Sequence, residues 1–171
     1  MENKSGDLGR IVEGEVMANT EVKGKVVTLD QPAHLIYTAF SDMRNFLAAV
    51  PPDKKEKITV TEDTIEGEIK GFRMGLKVAE RVPFSTIIFE QFGNSPFPFT
   101  ISVFFDAVDV RKTEFHMEIS AELNFMIKAM IGGKLQEVVD QLTDQLALAF
   151  SGKFDPAAFN PDNFKNNINY N

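Results

Sequence analysis

Residues 124–150 read NFMIKAMIGGKLQEVVDQLTDQLALAF, and this stretch decides the fold. Ile127, Ile131, Leu135, Val138, Val139, Leu142 and Leu146 recur at helical spacing, so their side chains share one helix face. Gly132-Gly133 interrupts the pattern, and each glycine costs about 1 kcal/mol in a helix interior. A break is therefore expected there, with residues 125–131 as a short lead-in and 134–150 as the main helix. An amphipathic helix must bury its apolar face, and the only large partner in this chain is the set of strand-like runs that precedes it.

Working back from the helix, residues 112–123 give the cleanest strand. Phe115, Met117, Ile119, Ala121 and Leu123 alternate with Glu114, His116, Glu118, Ser120 and Glu122. Residues 99–107, 85–92 and 73–82 read as further strands, with Gly93-Asn94-Ser95-Pro96 as a turn. Residues 57–61 and 64–69 form a hairpin across Glu62-Asp63, and Lys70-Gly71-Phe72-Arg73-Met74-Gly75 is a hairpin turn with too few glycines for a phosphate cradle. Two short helices come earlier. Asp30-Gln31-Pro32 starts the first, with Asp or Gln as cap and Pro in the first turn, and it carries Ala33, Ile36, Tyr37 and Phe40 on one face. Ser41-Asp42 caps the second, which carries Met43, Phe46, Leu47 and Val50, and Pro51-Pro52 ends it. Residues 15–29 read as the first strand. The order is strand, two short helices, several strands, long helix. It predicts an α+β chain whose curved antiparallel sheet wraps around the C-terminal helix, an arrangement that often encloses an apolar pocket. Residues 1–14 read as a mobile lead-in, 15–150 as one domain, and 151–171 as an irregular tail in which Phe154, Phe159 and Phe164 are spaced by five.

Composition narrows the function classes. The 171 residues hold 43% hydrophobic and 25% charged residues, as an ordinary globular domain does. They include 16 Phe but only 2 Tyr and no Trp, which predicts a large, dry interior poor in internal hydrogen-bonding groups. A net charge of -7 without a Lys/Arg cluster longer than Lys54-Lys55 argues against nucleic-acid binding. The absence of Cys excludes disulfides, thiolate nucleophiles and Cys-based metal sites. No signal-peptide core and no run of about 18 apolar residues is found, so a cytoplasmic protein without membrane insertion is the expectation. The sequon Asn3-Lys4-Ser5 is read as chance.

Several local phrases, together with the order of elements, resemble the SRPBCC (START/Bet v 1-like) superfamily over residues 15–150. They are Val27-Thr28-Leu29-Asp30-Gln31-Pro32-Ala33 leading into a short helix, Phe40-Ser41-Asp42-Met43, Pro51-Pro52-Asp53, and Leu123-Asn124-Phe125-Met126-Ile127 at the start of the final helix. The chain is most similar to the small bacterial polyketide-cyclase or ligand-transport-like members. The resemblance implies a helix-grip fold and a hydrophobic ligand held between sheet and helix.

Catalytic chemistry is thinly provided. His34 sits at a helix start, and His116 lies between Glu114 and Glu118 on the outward side of its strand; two histidines exclude a histidine-rich metal centre. No metal ion or cofactor is expected. Glu80 shares strand parity with Met74, Leu76, Val78 and Val82, so it is the one carboxylate that parity could turn inward, but a strand-end residue reaching solvent is the favoured reading; Tyr37 is the one tyrosine expected in the core. These two are the weak catalytic candidates.

The ligand-contact set is instead an apolar stripe. On the helical side it comprises Met126, Ile127, Met130, Ile131, Leu135, Val138 and Leu142. Facing it are Met74, Leu76, Phe89, Phe105, Phe115, Met117 and Ile119, with Phe46 from the second short helix. Methionine and phenylalanine together suit an adaptable apolar pocket, though the same residues also suit a filled core. Three readings follow: a binding or carrier protein for a small hydrophobic, lipid-like or polyketide-like molecule; a cyclase or dehydratase using a cavity carboxylate; and a protein-interaction module acting through the C-terminal tail. The residue inventory favours binding over catalysis.

Overall fold

The structure is a computed structural model that describes residues 10–12, 15–69 and 71–151. Nine strands form one antiparallel sheet: β1 (Arg10–Val12), β2 (Glu15–Lys23), β3 (Val27–Leu29), β4 (Ile58–Val60), β5 (Thr64–Ile69), β6 (Phe72–Val82), β7 (Thr86–Gly93), β8 (Phe99–Ala107) and β9 (Thr113–Leu123). Their spatial order is β1-β2-β9-β8-β7-β6-β5-β4, with β3 also paired to β9. The helices are α1 (Ala33–Ser41), α2 (Phe125–Ile131) and α3 (Leu135–Phe150). This is the helix-grip arrangement of the α+β class that the sequence predicts. Residues 10–12 of the expected lead-in form β1, hydrogen-bonded to β2. The expected tail lies outside the described residues, apart from Ser151.

The inner face of the sheet is set by register. Phe115, Met117, Ile119, Ala121 and Leu123 of β9 are all buried, with Phe105 opposite Phe115, Val103 opposite Met117 and Ile101 opposite Ile119 on β8. On β7, Phe89 lies opposite Ile101 and Ile87 opposite Val103. Such same-face pairs are the stabilising unit of a sheet. One end of this face is plugged by aromatic rings. Phe40 of α1 lies 5.4 Å from Phe105, 5.5 Å from Phe115, 5.3 Å from Phe46 and 5.7 Å from Phe150, ring centre to ring centre.

The first short helix begins one residue later than expected, and neither Asp30 nor Gln31 caps it. Pro32 occupies the N-cap position in extended conformation without a side-chain hydrogen bond. Its carbonyl accepts from the Leu35 and Ile36 amides, while the Gln31 carbonyl accepts from the buried Thr113 hydroxyl at 2.7 Å. The second short helix is a 3₁₀ segment, Met43–Ala49, rather than an α-helix. Asp42 caps it as expected, accepting from the Arg44 amide at 3.0 Å and from the Arg44 guanidinium. These bonds, the side-chain one foremost, lower the Asp42 pKa from 3.8 to about 2.

The expected first strand is split at Gly24, between β2 and β3. The physical reason is the helix. A Cβ at Gly24 would lie 3.1 Å from the Met117 carbonyl oxygen and 3.1 Å from a Val139 methyl group. Only glycine lets α3 come this close to the sheet. The Gln136 amide donates to the Lys23 carbonyl at 2.8 Å, the Lys25 amide donates to Asp140 at 2.9 Å, and Lys25 pairs with Asp144 at 2.5 Å. These contacts fasten one flank of α3 to the β2–β3 junction. α3 thus packs mainly on β9, β2 and β3.

Two outcomes test this fold. Gly24→Ala forces either the helix or the strand to move and is expected to cost about 1–3 kcal/mol in urea denaturation. Asp42 has a folded pKa below its unfolded value, so its contribution to stability is present above about pH 4 and disappears as pH falls through about 2. Asp42→Ala should therefore lower the melting temperature at neutral pH, and the gap from wild type should close towards pH 2.

Candidate functional site

Because α3 is tied down over β2, β3 and β9, its opposite flank looks along the inner face towards β5, β6 and β7. That flank carries Leu135, Val138 and Leu142, all half-buried, whereas Val139 and Thr143 at the centre of the contact are fully buried. Across from it, Ile65 of β5 pairs with Leu76 of β6, and Val78 pairs with Phe89 of β7. Ile65, Met74, Leu76 and Val78 are half-buried on this inner face, in contrast to the fully buried residues of β8 and β9 beside them. Together with the aromatic plug at one end and α3 beside them, these half-buried side chains outline a candidate trough, with Ile65, Leu76, Val78 and Leu142 also packed against the core. Its lining is aliphatic, with Gln91, opposite Leu76, as a polar member that donates to the Gly93 carbonyl at 2.7 Å.

The expected contact residues fall into three groups. Met74, Leu76, Ile127, Ile131, Leu135, Val138 and Leu142 lie half-buried, with Leu76 and Leu142 also packed against the core. Phe89, Phe105, Phe115, Met117 and Ile119 are buried in the core, with Phe46 packed against them at the plug. Met126 and Met130 do not face the sheet. They are 71% and 48% exposed, because α2 turns Ile127 and Ile131 towards the sheet and so presents the methionine side outward.

Glu80 is not on the inner face. A register shift between Val78 and Glu80 puts Ala79 in a bulge, so Glu80 pairs with Ile88 on the outer side and is exposed. Strict alternation from Met74 fails at that one residue. The inner position passes to Arg81, opposite Ile87. Its guanidinium donates to the Ser41 carbonyl at 2.6 Å through Nη2 and to Asp63 Oδ1 at 2.7 Å, fastening the C-terminal end of α1 to the β4–β5 turn. The alternation of β6 places Arg81 on the outward side with Arg73 and Lys77, because a bulge leaves no mark in it.

Tyr37 is buried, as expected, with its ring edge-on to Phe84 at 5.5 Å and to Phe105 at 6.1 Å. Phe84 follows Pro83 in the β6–β7 turn, closed by the Ser85 amide on the Val82 carbonyl, and holds φ at 63°. Such left-handed backbone costs a non-glycine residue about 1–2 kcal/mol. His34 is exposed and stands edge-on to Phe84 at 6.4 Å. His116 is on the outer face but is not simply solvated: its side chain is 12% exposed, its ring stacks on Phe104 at 4.7 Å, and Nε2 lies 3.2 Å from Glu118. Gly71 holds φ at 80° in the β5–β6 turn. Among the described residues, no group of three or more His, Asp or Glu side chains gathers at metal-binding distance. None of the trough-lining side chains named above is ionisable.

No family model and no curated protein sequence matches the chain. Solved structures do. The Mll3558 protein from Rhizobium loti superposes with a TM-score of 0.58 at 13% identity, covering 77% of this chain and 96% of its own. Norcoclaurine synthase from Thalictrum flavum gives 0.55 at 6% identity, covering 74% and 87%. The Aha1 dimer from Colwellia psychrerythraea gives 0.52 at 18% identity, covering 78% and 96%. At these identities the likeness is one of fold.

Arg81→Met should loosen the attachment of α1 without touching the trough. The expected result is a lower melting temperature and faster amide exchange at residues 41–49, with the rest of the sheet unchanged.

Proposed function

We propose that the chain binds a small hydrophobic molecule in the trough between the β5–β7 face and α3. The observation that carries this reading is the seat of α3, whose sheet contacts are mainly with β9, β2 and β3, while Ile65, Met74, Leu76 and Val78 on the inner face of β5 and β6 are only half-buried. Apolar clefts with few polar groups are the usual form of a small-molecule site. A ligand seated there gains desolvation of its apolar surface at about 25 cal/mol per Å² buried. Gln91, opposite Leu76 on the same face, is a group able to orient a polar end. This chemistry suits a lipid-like or polyketide-like molecule.

Binding accounts for the trough better than catalysis does. The one carboxylate offered by strand parity, Glu80, is on the outer side, and an acid-base step needs a group within hydrogen-bond reach of the substrate. Glu80→Gln should leave both ligand affinity and any turnover unchanged.

Native mass spectrometry of freshly purified protein, with titration of an apolar fluorescent probe, tests the reading. A co-purifying apolar mass or a saturable probe site is expected. Val138→Trp should fill the trough and weaken the probe at least tenfold while the protein stays folded. Phe115→Ala, in the plug, should instead cost about 3–5 kcal/mol of stability. A protein that carries nothing and takes up no probe would overturn the proposal.

A further inference from the structure

Helix α2 wears its apolar side outward. Phe125 is 84% exposed, Met126 71% and Met130 48%, while Ile127 and Ile131 are half-buried. At 3.6 residues per turn, Phe125, Met126, Ala129 and Met130 fall within one arc of about 140°. Isolated exposed apolar residues are ordinary, but several large ones on one helix face mark an interaction surface. The charge within this stretch of sequence is one-sided, bounded by Glu122 and Glu137. Lys128 is exposed on the same helix, Lys134 follows it, and no carboxylate occurs from Asn124 to Gln136 in a chain whose net charge is -7.

An apolar ridge with cations at its side has two chemical demands, and an anionic bilayer surface meets both. The apolar side chains reach the boundary between headgroups and acyl chains, and the lysines meet lipid phosphates. The acidic remainder of the chain is repelled by the same surface, which orients the molecule with α2 facing the lipid. We propose that α2 docks the protein on an anionic lipid bilayer, with Phe125, Met126 and Met130 buried in the interface and Lys128 and Lys134 at its phosphates. The attachment is superficial: no helix among the described residues is long and apolar enough to cross a membrane. It does not depend on what occupies the trough.

Flotation of the full chain with vesicles tests the proposal. Vesicles of phosphatidylcholine mixed with phosphatidylglycerol should carry the protein up, vesicles of phosphatidylcholine alone should do so at least tenfold less, and added salt should release it. Phe125→Ser with Met126→Ser should reduce binding at least tenfold. Because both side chains are exposed, the melting temperature should not change. Lys128→Gln with Lys134→Gln provides a second arm that leaves the apolar ridge intact, and it should abolish the preference for the anionic vesicles. Equal or absent binding to the two vesicle types would overturn the proposal, as would variants that float like wild type. A dimer dissolved by Phe125→Ser and Met126→Ser, without vesicle binding, would assign the ridge to a second copy instead. Vesicle binding that emerges only after removal of residues 152–171 would assign it to the chain's own tail. Either outcome sinks the lipid reading without bearing on the apolar probe.

Discussion

The contact between Val139 and Gly24 is the constraint on which the rest of this structure depends. A hypothetical Cβ at Gly24 would lie 3.1 Å from both the Met117 carbonyl and the Val139 methyl group. The contact fixes the lateral position of α3, and the bonds from Gln136 and Asp140 to Lys23 and Lys25 fix its rotation. The candidate trough over β5 to β7 would then follow from where the sheet admits the helix, rather than from any missing side chain.

The aromatic plug is the counterpart of that constraint. Phe40, Phe105 and Phe115 close one end of the inner face with rings whose centres lie 5.4–5.9 Å apart. Arg81 holds the C-terminal end of α1, and so the mounting of Phe40, through the Ser41 carbonyl. A chain rich in Phe and poor in Tyr and Trp can build a dense plug in which few polar ring atoms have to be satisfied.

Much of this was legible in the sequence, and the failures have physical causes. The β9 alternation and the 3.6-residue stripe of α3 persist over enough residues to define faces, and the Gly132-Gly133 break falls where the helix changes into a 3₁₀ turn. Register is more fragile. One bulge residue, Ala79, moved Glu80 to the outer side and Arg81 to the inner, and alternation carries no signal for a bulge. The phase of α2 was equally hard to read. Met126 and Met130 are as apolar as Ile127 and Ile131, so composition could not say which pair meets the sheet. The stacking of His116 on Phe104 was missed because each residue, read alone, belongs to an alternation facing solvent. The trough itself depends on the lateral seat of α3, which is a tertiary quantity absent from any local pattern.

The central claim is that α3 leaves an open apolar space over β5 to β7. A crystal of the protein under xenon pressure measures it most directly, since xenon enters dry apolar spaces. The account predicts xenon density between Leu76, Val78 and Val138. An inner face closed by side chains, with no xenon in that region, would contradict it.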